Sequence, residues 1–309
     1  MTQSASSLRY RTTGVEVRGG TLHTALWGPE DPAAPTILAV HGVTASHKAW
    51  PALAKALPEV RILAPDLRGR GRSNALPAPY GMPSHAEDLA AVLATLSTGP
   101  VVVVGHSMGA FAAVVLANLF PERVRSLVLV DGGLPLQVPA GLSDEQIVAA
   151  VLGPAAERLN ATFASREAYR SFWKQHPAFS ADWSPLVEEY VDYDLTGDEP
   201  VLRPATRYQA MADDTAELHR GASLLKALDE LSVDTLVLRA PRGLFNEPGG
   251  LYAPGYLDGW AEKLPALTVR EIADVNHYTI VMGGAGAAAV ADTVREALGE
   301  SASSGATGG

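Results

Sequence analysis

The chain has 309 residues, of which 47% are hydrophobic and 19% charged, and its formal net charge at pH 7 is −10. This composition is that of an ordinary globular protein, and the acidic balance gives no reason to expect nucleic acid or an anionic membrane as a partner. The sequence contains no cysteine, which excludes disulfides, thiolate metal sites and a cysteine nucleophile.

The first half of the chain alternates strand and helix patterns. Residues 1–7 are polar and lack the basic and apolar regions of a signal peptide, and no apolar run reaches the roughly 18 residues of a membrane span. We therefore expect a cytoplasmic protein that does not contact a membrane. The apolar periodicity and the turn residues predict strands over 8–17, 21–27, 36–41 and 60–65 and helices over 48–57 and 84–96.

The loops after two of these strands carry polar and aromatic residues. His47 and Trp50 lie just beyond strand 36–41 and are candidates for lining a pocket, although packing within the loop explains them equally well. Residues 66–73 form a glycine-rich loop in which we expect Asp66 to cap or pair locally. That loop lacks the Lys-Ser or Lys-Thr ending of a phosphate-binding loop, so we interpret it as scaffold.

The strongest chemical signal is Gly-His-Ser-Met-Gly at 105–109. Four valines at 101–104 predict a strand buried on both faces, and residues 110–117 predict a helix. Between a strand and a helix, Gly-x-Ser-x-Gly is typical of a nucleophile elbow, in which a strained turn holds the hydroxyl of Ser107 out at the end of the sheet. The free N–H groups at the start of the helix, including that of Met108, point toward developing negative charge.

With this motif the chain resembles the α/β-hydrolase family over about residues 22–298. The resemblance implies an α/β-hydrolase fold, with a mostly parallel eight-stranded sheet, helices on both faces and an inserted helical cap. It also implies an oxyanion hole, because His41-Gly42 at the end of an early strand resembles the family loop in which the residue after the glycine supplies an N–H. The two donors are then Val43 and Met108, and His41 is a further candidate for the pocket wall.

The alternation stops after a predicted strand over 124–130. Residues 134–218 are mainly helical and interrupted by prolines, and they resemble the cap domain that this family inserts. Most aromatic side chains there are expected to form the cap's own core, and a few to roof an apolar pocket, with Phe179 and Trp183 as candidates. The predicted cap helices cover 143–163, 165–175, 185–194 and 205–219. The predicted domain organisation is a core of 1–133 and 219–298, a cap of 134–218 and a flexible tail of 299–309.

Strand and helix patterns resume after the cap. Strands over 234–239 and 267–272 and helices over 254–263 and 284–298 complete the predicted core. His277 precedes the last helix, as the catalytic histidine of the family does. Tyr278, beside it, is a candidate pocket residue.

The sequence leaves two candidates for the acid that orients His277. Many family members carry this acid a few residues beyond the strand that corresponds to 234–239, but those positions hold no acid here. Asp131 ends the strand next to the nucleophile strand, at the edge where open α/β sheets bind ligands, and some members carry their acid there. Glu247 lies farther along a loop rich in glycine and proline and is the alternative. We favour Asp131.

The order Ser107, Asp131, His277 is the triad order of the α/β-hydrolases. In this scheme the serine attacks a carbonyl carbon, the histidine moves the proton and the acid orients the imidazole. The resemblance implies a serine hydrolase of a small, fairly apolar carboxylic ester or lactone, with a small-molecule substrate as its partner and no metal or organic cofactor. Amide, C–C bond and thioester hydrolysis and acyl transfer share this machinery, and a non-catalytic ligand-binding homologue is the alternative from another class. The oligomeric state stays open.

Overall fold

The structure is a computed structural model that describes residues 9–138 and 157–299 together with residues 141, 143 and 146. Most of the helix expected over 143–163, and nearly all of the expected tail, lie outside the described residues. Within the described ranges, each helix is too short or too polar to cross a lipid bilayer.

A mostly parallel eight-stranded sheet forms the centre of the molecule, and the expected α/β-hydrolase architecture is confirmed. The first two strands pair antiparallel with each other, the second pairs antiparallel with the fourth, and the other pairs are parallel. The strands are β1 (Tyr10–Val17), β2 (Gly20–Trp27), β3 (Thr36–Val40), β4 (Arg61–Pro65), β5 (Val101–His106), β6 (Val124–Val130), β9 (Thr235–Arg239) and β10 (Leu267–Glu271), with β7 (Leu195–Thr196) and β8 (Arg203–Pro204) in a separate pair. Their order in the sheet is β1-β2-β4-β3-β5-β6-β9-β10.

Helices cover both faces of the sheet. The α-helices with both bounds in the described residues are α1 (Pro51–Ala56), α2 (Met82–Leu96), α3 (Met108–Leu119), α4 (Arg166–Lys174), α5 (Pro185–Tyr193), α6 (Tyr208–Arg220), α7 (Ala222–Asp229), α8 (Tyr256–Lys263), α9 (Thr279–Met282) and α10 (Gly284–Leu298). Residues 157–160 are also helical. The helix expected over 48–57 is instead a 3-10 turn, His47–Ala49, followed by α1. Pro51 has no N–H to continue the turn, and its fixed φ suits the first position of a new helix. The short helices α7 and α9 were not predicted.

The alternation of the valines in β5 divides the core into two apolar layers. The side chains of Val101 and Val103 join one cluster with α2 and α3, whereas Val102 and Val104 join the other with α1 and α10. All four valines are at most 3% exposed, and full burial of such a side chain stabilises the fold by roughly 1.5 kcal/mol or more. The strand is therefore fixed from both faces, which gives its C-terminal end a rigid position.

The register of the central strands determines which loops meet. His106 at the end of β5 pairs with Val130 at the end of β6, and Val130 in turn pairs with Leu238 of β9. The residues that follow, Ser107 and Asp131, therefore leave the sheet side by side at its carboxyl edge, where ligands bind in open α/β sheets.

Between β6 and β9, the described residues contribute no strand to the main sheet. The helices α4 and α5 pack against each other, and an internal ion pair joins Arg158 to Asp194. Their apolar side chains, including Tyr169, Trp173 and Tyr190, belong to the cluster on the α1 and α10 side. We treat residues 134–218 as a proposed cap on this basis.

Candidate active site

Ser107 occupies a backbone conformation that non-glycine residues rarely adopt. Its φ and ψ are 53° and −128°, between the end of β5 and the start of α3. Such a residue is strained by on the order of 1–3 kcal/mol and persists only where its surroundings impose the conformation. Here the N–H of Ser107 donates to Val130 O at 3.0 Å and its carbonyl accepts from Ala110 N at 2.9 Å. A strained backbone at the serine, held by hydrogen bonds to the neighbouring strand and helix, is typical of a nucleophile elbow.

The two glycines of the motif are required by close backbone contacts. A Cβ on Gly105 would lie 2.5 Å from Ala110 Cα, and one on Gly109 would lie 2.1 Å from Val40 O. Both distances are far inside van der Waals contact, so any side chain would push α3 away from the sheet. The motif thus holds the start of α3 directly against β3 and β5.

Asp131 and His277 form a buried hydrogen-bonded pair. His277 Nδ1 lies 2.6 Å from Asp131 Oδ2, and the other carboxylate oxygen accepts from Ala240 N at 3.1 Å. Asp131 is fully buried and His277 is 3% exposed. Because a carboxylate only accepts, the proton of a neutral His277 ring is assigned to Nδ1, which leaves the Nε2 lone pair available. Such an imidazole can act as a general base.

The alternative acid, Glu247, lies elsewhere. It is exposed, and its carboxylate accepts from Phe245 N at 2.7 Å within its own loop. Its backbone carbonyl accepts from Gly243 N at 2.9 Å, so the residue closes a local turn. The structure brings Asp131 to His277 and does not bring Glu247 there.

Two backbone N–H groups lie beside Ser107 without an acceptor. No described residue accepts a hydrogen bond from Val43 N or from Met108 N. Gly42 approaches the serine so closely that a Cβ on it would lie 3.1 Å from Ser107 Cβ and 3.5 Å from its Oγ. Unpartnered donors close to a nucleophile are suited to bind an oxyanion.

His106 is a site residue that the sequence analysis did not select, although it lies inside the motif. Its Nε2 is 2.7 Å from the carbonyl oxygen of His277, so this nitrogen carries the proton and donates. Burial, followed by the charge of His277 when that ring is protonated, lowers the pKa of His106 well below its ordinary value. The neutral ring therefore connects the nucleophile strand to the loop that carries His277.

A largely apolar pocket opens over these groups. It contains about 680 Å³ of space outside the protein atoms, part of it open to solvent. Ser107, His277, Val43 and Tyr278 line it, and no Lys, Arg, Asp or Glu is among the lining residues in the described ranges. The further lining residues are Gly42, Thr44, Ala45, Ala49, His106, Phe111, Leu136, Tyr190, Leu218, Leu244, Leu251 and Met282. Tyr278, a pocket candidate from the sequence, is among the lining residues.

The other predicted pocket residues lie outside this lining. His41 is fully buried behind the loop, where Nδ1 donates to Gly42 O at 2.8 Å and Nε2 accepts from Leu67 N at 2.9 Å. Burial lowers the pKa of His41 to about 4, so the ring is neutral. Trp50 is fully buried in the core on the α1 side. Both residues are therefore packing side chains outside this lining, because large side chains after a strand end can fill the core as well as face a pocket.

The aromatic candidates from the proposed cap, Phe179 and Trp183, also lie outside this lining. Phe179 is fully buried, and its ring centroid lies 4.9 Å from that of Tyr278, which lines the pocket. Trp183 Nε1 donates to Glu188 at 3.4 Å, and the ammonium of Lys174 lies 5.4 Å from the Trp183 ring centroid. It is Tyr190, on α5, that lines the pocket. No signal in the sequence distinguished it from the neighbouring aromatic residues.

His47, the remaining candidate, belongs to a polar network beside the site. Its Nδ1 lies 2.8 Å from Asp66 Oδ1, and Tyr193 of α5 donates to Asp66 Oδ2 at 2.7 Å. His23, His47 and Asp66 place potential ligand atoms within 4.8 Å of one another. Both oxygens of Asp66 already accept backbone or side-chain hydrogen bonds, so we interpret the group as a structural network between the core and α5.

Comparisons with known proteins agree with the fold. A family model described as the α/β hydrolase fold matches residues 35–281. The lipase LipV of Mycobacterium tuberculosis is 45% identical over 115 residues, which are 37% of this chain and 43% of that protein, so less than half of LipV is matched. The 2-(acetamidomethylene)succinate hydrolase of Mesorhizobium japonicum is 27% identical over 253 residues, or 81% of this chain and 84% of that protein.

A similar fold is found among solved structures. The crystal structure of E-2-(acetamidomethylene)succinate hydrolase superimposes with a TM-score of 0.76 at 22% identity, and the match covers 94% of this chain and 100% of that one. At this identity the likeness concerns the fold alone.

Proposed function

The chain belongs to the α/β-hydrolase family, and from that premise we propose that it is a serine hydrolase that cleaves a small, fairly apolar carboxylic ester or lactone. The observation that carries the proposal is the buried pair of Asp131 and His277, beside a strained Ser107 in one pocket. A serine, a histidine with a free Nε2 and a buried acid on the far side of the ring are the parts that acyl transfer needs.

In the proposed reaction Ser107 Oγ attacks the carbonyl carbon while His277 Nε2 takes its proton. Asp131 stabilises the resulting imidazolium and keeps the ring in orientation. The negative charge that develops on the carbonyl oxygen is stabilised by the N–H groups of Val43 and Met108. Collapse of the tetrahedral intermediate breaks the bond to the leaving alcohol, which receives the proton from His277. Water then attacks the acyl-enzyme with His277 as base and releases the acid.

The free Oγ of Ser107 is compatible with this scheme. The Ser107 hydroxyl makes no hydrogen bond within the described residues, whereas the reaction requires one to His277. Contacts of this kind are often long without substrate and shorten in the reactive complex.

The pocket supports a neutral, apolar substrate. Its described lining holds aliphatic and aromatic side chains and no group with a permanent charge. Three lining residues, Leu136, Tyr190 and Leu218, come from or border the segment that we propose as the cap. Burial raises the pKa of Tyr190 and of Tyr278, so both are neutral phenols that can hydrogen-bond to a polar atom of the substrate. A small ester or lactone fits this environment without the cost of burying a charge.

Amide hydrolysis is the second candidate. The relative from Mesorhizobium japonicum is named as the hydrolase of a compound with an acetamido group and is aligned over 81% of this chain. The same three side chains can serve this reaction, with His277 protonating a departing amine. An acetamido substrate therefore belongs in any activity screen.

The proposal is tested with short-chain p-nitrophenyl esters, lactones and acetamides on wild type, Ser107→Ala and Ser126→Ala. Ser126 is a buried serine of β6 that lies outside the pocket lining and is the matched control. We expect Ser107→Ala to fold normally and to lose on the order of 10⁶-fold in kcat, whereas Ser126→Ala stays near wild type. A fluorophosphonate probe should label wild type and not Ser107→Ala. The proposal is contradicted if Ser107→Ala hydrolyses a substrate at a rate within about tenfold of wild type. It is also contradicted if wild type neither hydrolyses any of the substrates nor reacts with the probe.

A further inference from the structure

Arg70 is a fully buried arginine directly behind the proposed oxyanion hole. It lies in the loop that follows β4, between Gly69 and the 3-10 turn Gly71–Ser73. The sequence of this loop indicates a scaffold and gives no partner for Arg70. A buried guanidinium requires acceptors for its N–H groups, so its hydrogen bonds show what it holds.

The guanidinium of Arg70 contacts both residues of the proposed hole. Its Nε donates to the carbonyl oxygen of Val43 at 2.8 Å, and its Nη2 lies 3.6 Å from Met108 Sδ. Two further hydrogen bonds go to backbone carbonyls: Nη1 donates to Arg68 O at 2.8 Å and Nη2 to Ala210 O at 3.2 Å. One planar group thus joins the oxyanion loop, the start of α3 and helix α6.

An aspartate on α6 holds this arginine in place. Asp214 Oδ2 lies 2.5 Å from Arg70 Nη2, and both side chains are fully buried. Asp214 also accepts from Gly81 N at 2.6 Å, and its Oδ2 lies 2.9 Å from His85 Nε2. Burial alone would raise the pKa of Asp214, but the charges of Arg70 and His85 outweigh it and lower that pKa to about 2. The carboxylate is therefore ionised at neutral pH and opposes the positive charge of Arg70.

The two peptide groups that flank Val43 are held from different sides. The Gly42–Val43 peptide, which supplies the proposed donor, has its carbonyl oxygen bonded by Ala45 N at 3.2 Å and by His41 Nδ1 at 2.8 Å. The carbonyl of the next peptide is held by Arg70. Rotation of the Gly42–Val43 peptide would break the bonds to Gly42 O, and a displacement of Val43 together with its N–H would break the bond from Arg70 to Val43 O. Without Arg70, one of the two restraints is lost.

We propose that Arg70, held by Asp214, is a positioning residue that keeps the N–H groups of Val43 and Met108 directed at the oxyanion. This inference rests on the proposed function, because it presupposes that these two groups stabilise a tetrahedral intermediate. Preorganised donors stabilise the transition state because they need no rearrangement during the reaction. Arg70 touches no substrate, so its effect is on kcat and little on KM.

Arg68 provides a matched control in the same loop. It is equally buried and forms its own buried ion pair, with Arg68 Nη2 2.7 Å from Asp88 Oδ1. Its other bonds go to Pro77 O and Arg18 O. Among the described residues, no hydrogen bond or ion pair joins the Arg68 side chain to Val43 or Met108. Loss of either guanidinium group removes comparable packing and hydrogen bonding, but only the loss of the Arg70 group removes a hydrogen bond to the proposed oxyanion hole.

The experiment compares Arg70→Lys with Arg68→Lys on the ester that wild type hydrolyses best. Lysine keeps the charge but lacks the planar fork of five donors. We expect Arg70→Lys to reduce kcat on the order of 10- to 100-fold, below the 10²- to 10³-fold typical of deleting an oxyanion donor, with KM within about threefold. Arg68→Lys should lose similar thermal stability and keep kcat within about threefold.

A transition-state analogue supplies a readout that a structural role alone would not change. A trifluoromethyl ketone forms a tetrahedral oxyanion on the serine, so its Ki should rise in Arg70→Lys in proportion to the fall in kcat. In Arg68→Lys the Ki should stay near that of wild type. Asp214→Asn preserves the shape of the partner of Arg70, and it should lower kcat and raise Ki as Arg70→Lys does, but by smaller factors. This variant decides the question if Arg70→Lys does not fold.

Two results overturn the inference. One is an Arg70→Lys enzyme that is destabilised as Arg68→Lys is but keeps the kcat and Ki of wild type. The other, where Arg70→Lys does not fold, is a folded Asp214→Asn with unchanged kcat and Ki. Failure of the proposed function is distinguishable from both, because then wild type neither hydrolyses the substrates nor reacts with the fluorophosphonate probe.

Discussion

Two loops at the carboxyl edge of the sheet each carry an acid, and the contrast between them shows what makes a position rigid. The loop after β6 begins with Asp131, which is fully buried and bonded to Ala240 N and His277. The loop after β9 carries Glu247, which is exposed and bonded within its own turn. An acid that directly follows a central strand takes its position from the sheet, whereas an acid eight residues into a loop takes it from local turns.

The largest expected effect tests this contrast directly. Asp131→Asn should leave the fold intact and lower kcat by up to about 10⁴-fold, because an amide at this position favours the wrong tautomer of His277. Glu247→Gln should stay within about threefold of wild type. Steady-state kinetics on both variants measure the difference. A collapse of activity in Glu247→Gln alone would show that the resting geometry does not identify the functional acid.

The second prediction uses the buried histidines near the first loop. The pKa of His41 is lowered by burial to about 4, and that of His106 is lowered well below its ordinary value of 6.5. Their contribution to stability is therefore fully present above pH 6.5 and is lost as the pH falls below it, since the unfolded chain binds the protons first. For His41 the loss is complete near pH 4 and amounts to about 3 kcal/mol.

Denaturant unfolding between pH 7.5 and 4.5 checks this sign and slope. Each buried histidine should contribute up to about 1.4 kcal/mol per pH unit below pH 6.5 and no slope above it. His106→Gln can place an amide donor toward His277 O and should reduce the slope by that amount. His176→Gln should reduce the slope less, because His176 is only partly buried, beside Phe245 of the second loop, and burial lowers its pKa less than that of His106. Equal slopes in wild type and His106→Gln would contradict a neutral buried His106.

The third prediction compares a glycine from each loop. A Cβ on Gly132 would lie 2.3 Å from the backbone oxygen of Ser107, whereas one on Gly243 would meet the carboxylate of Glu247. Backbone cannot move as a flexible side chain can, so Gly132→Ala should destabilise the fold by roughly 1–3 kcal/mol and reduce activity. Gly243→Ala should have a smaller effect on both. Thermal unfolding with kinetics on the two variants measures this, and equal effects would show that the first loop is not the more rigid.

The smallest expected effect concerns the contribution of the second loop to binding. Leu244 and Leu251 from this loop line the pocket, so the loop supplies apolar wall and no chemistry. Leu244→Ala removes part of a half-buried side chain and should raise KM by about threefold while kcat stays near wild type. Measurement across esters of increasing acyl length sharpens the test, since the effect should grow with the chain. A fall in kcat without a change in KM would place this loop in the chemistry.

Strand and helix positions were predictable because local pattern decides them. The valines of β5 alternate between the two apolar layers, and the predicted bounds of most described elements agree with the structure within a few residues. The differences have local causes, such as Pro51, which separates a 3-10 turn from α1. The pocket wall was far less predictable, since His41, His47, Trp50, Phe179 and Trp183 all lie outside its lining.

The sequence by itself determined the fold class, the elbow motif and the two loops in which an acid stands, because these features depend on neighbouring residues. Only the tertiary structure decided which acid lies against His277 and which aromatic residue reaches the pocket, because these contacts join distant parts of the chain. The pairing of Arg70 with Asp214 is of the same kind, since it joins residues 144 positions apart (214 minus 70). Such contacts depend on the register of the strands and the packing of the helices over them, and no local pattern records them.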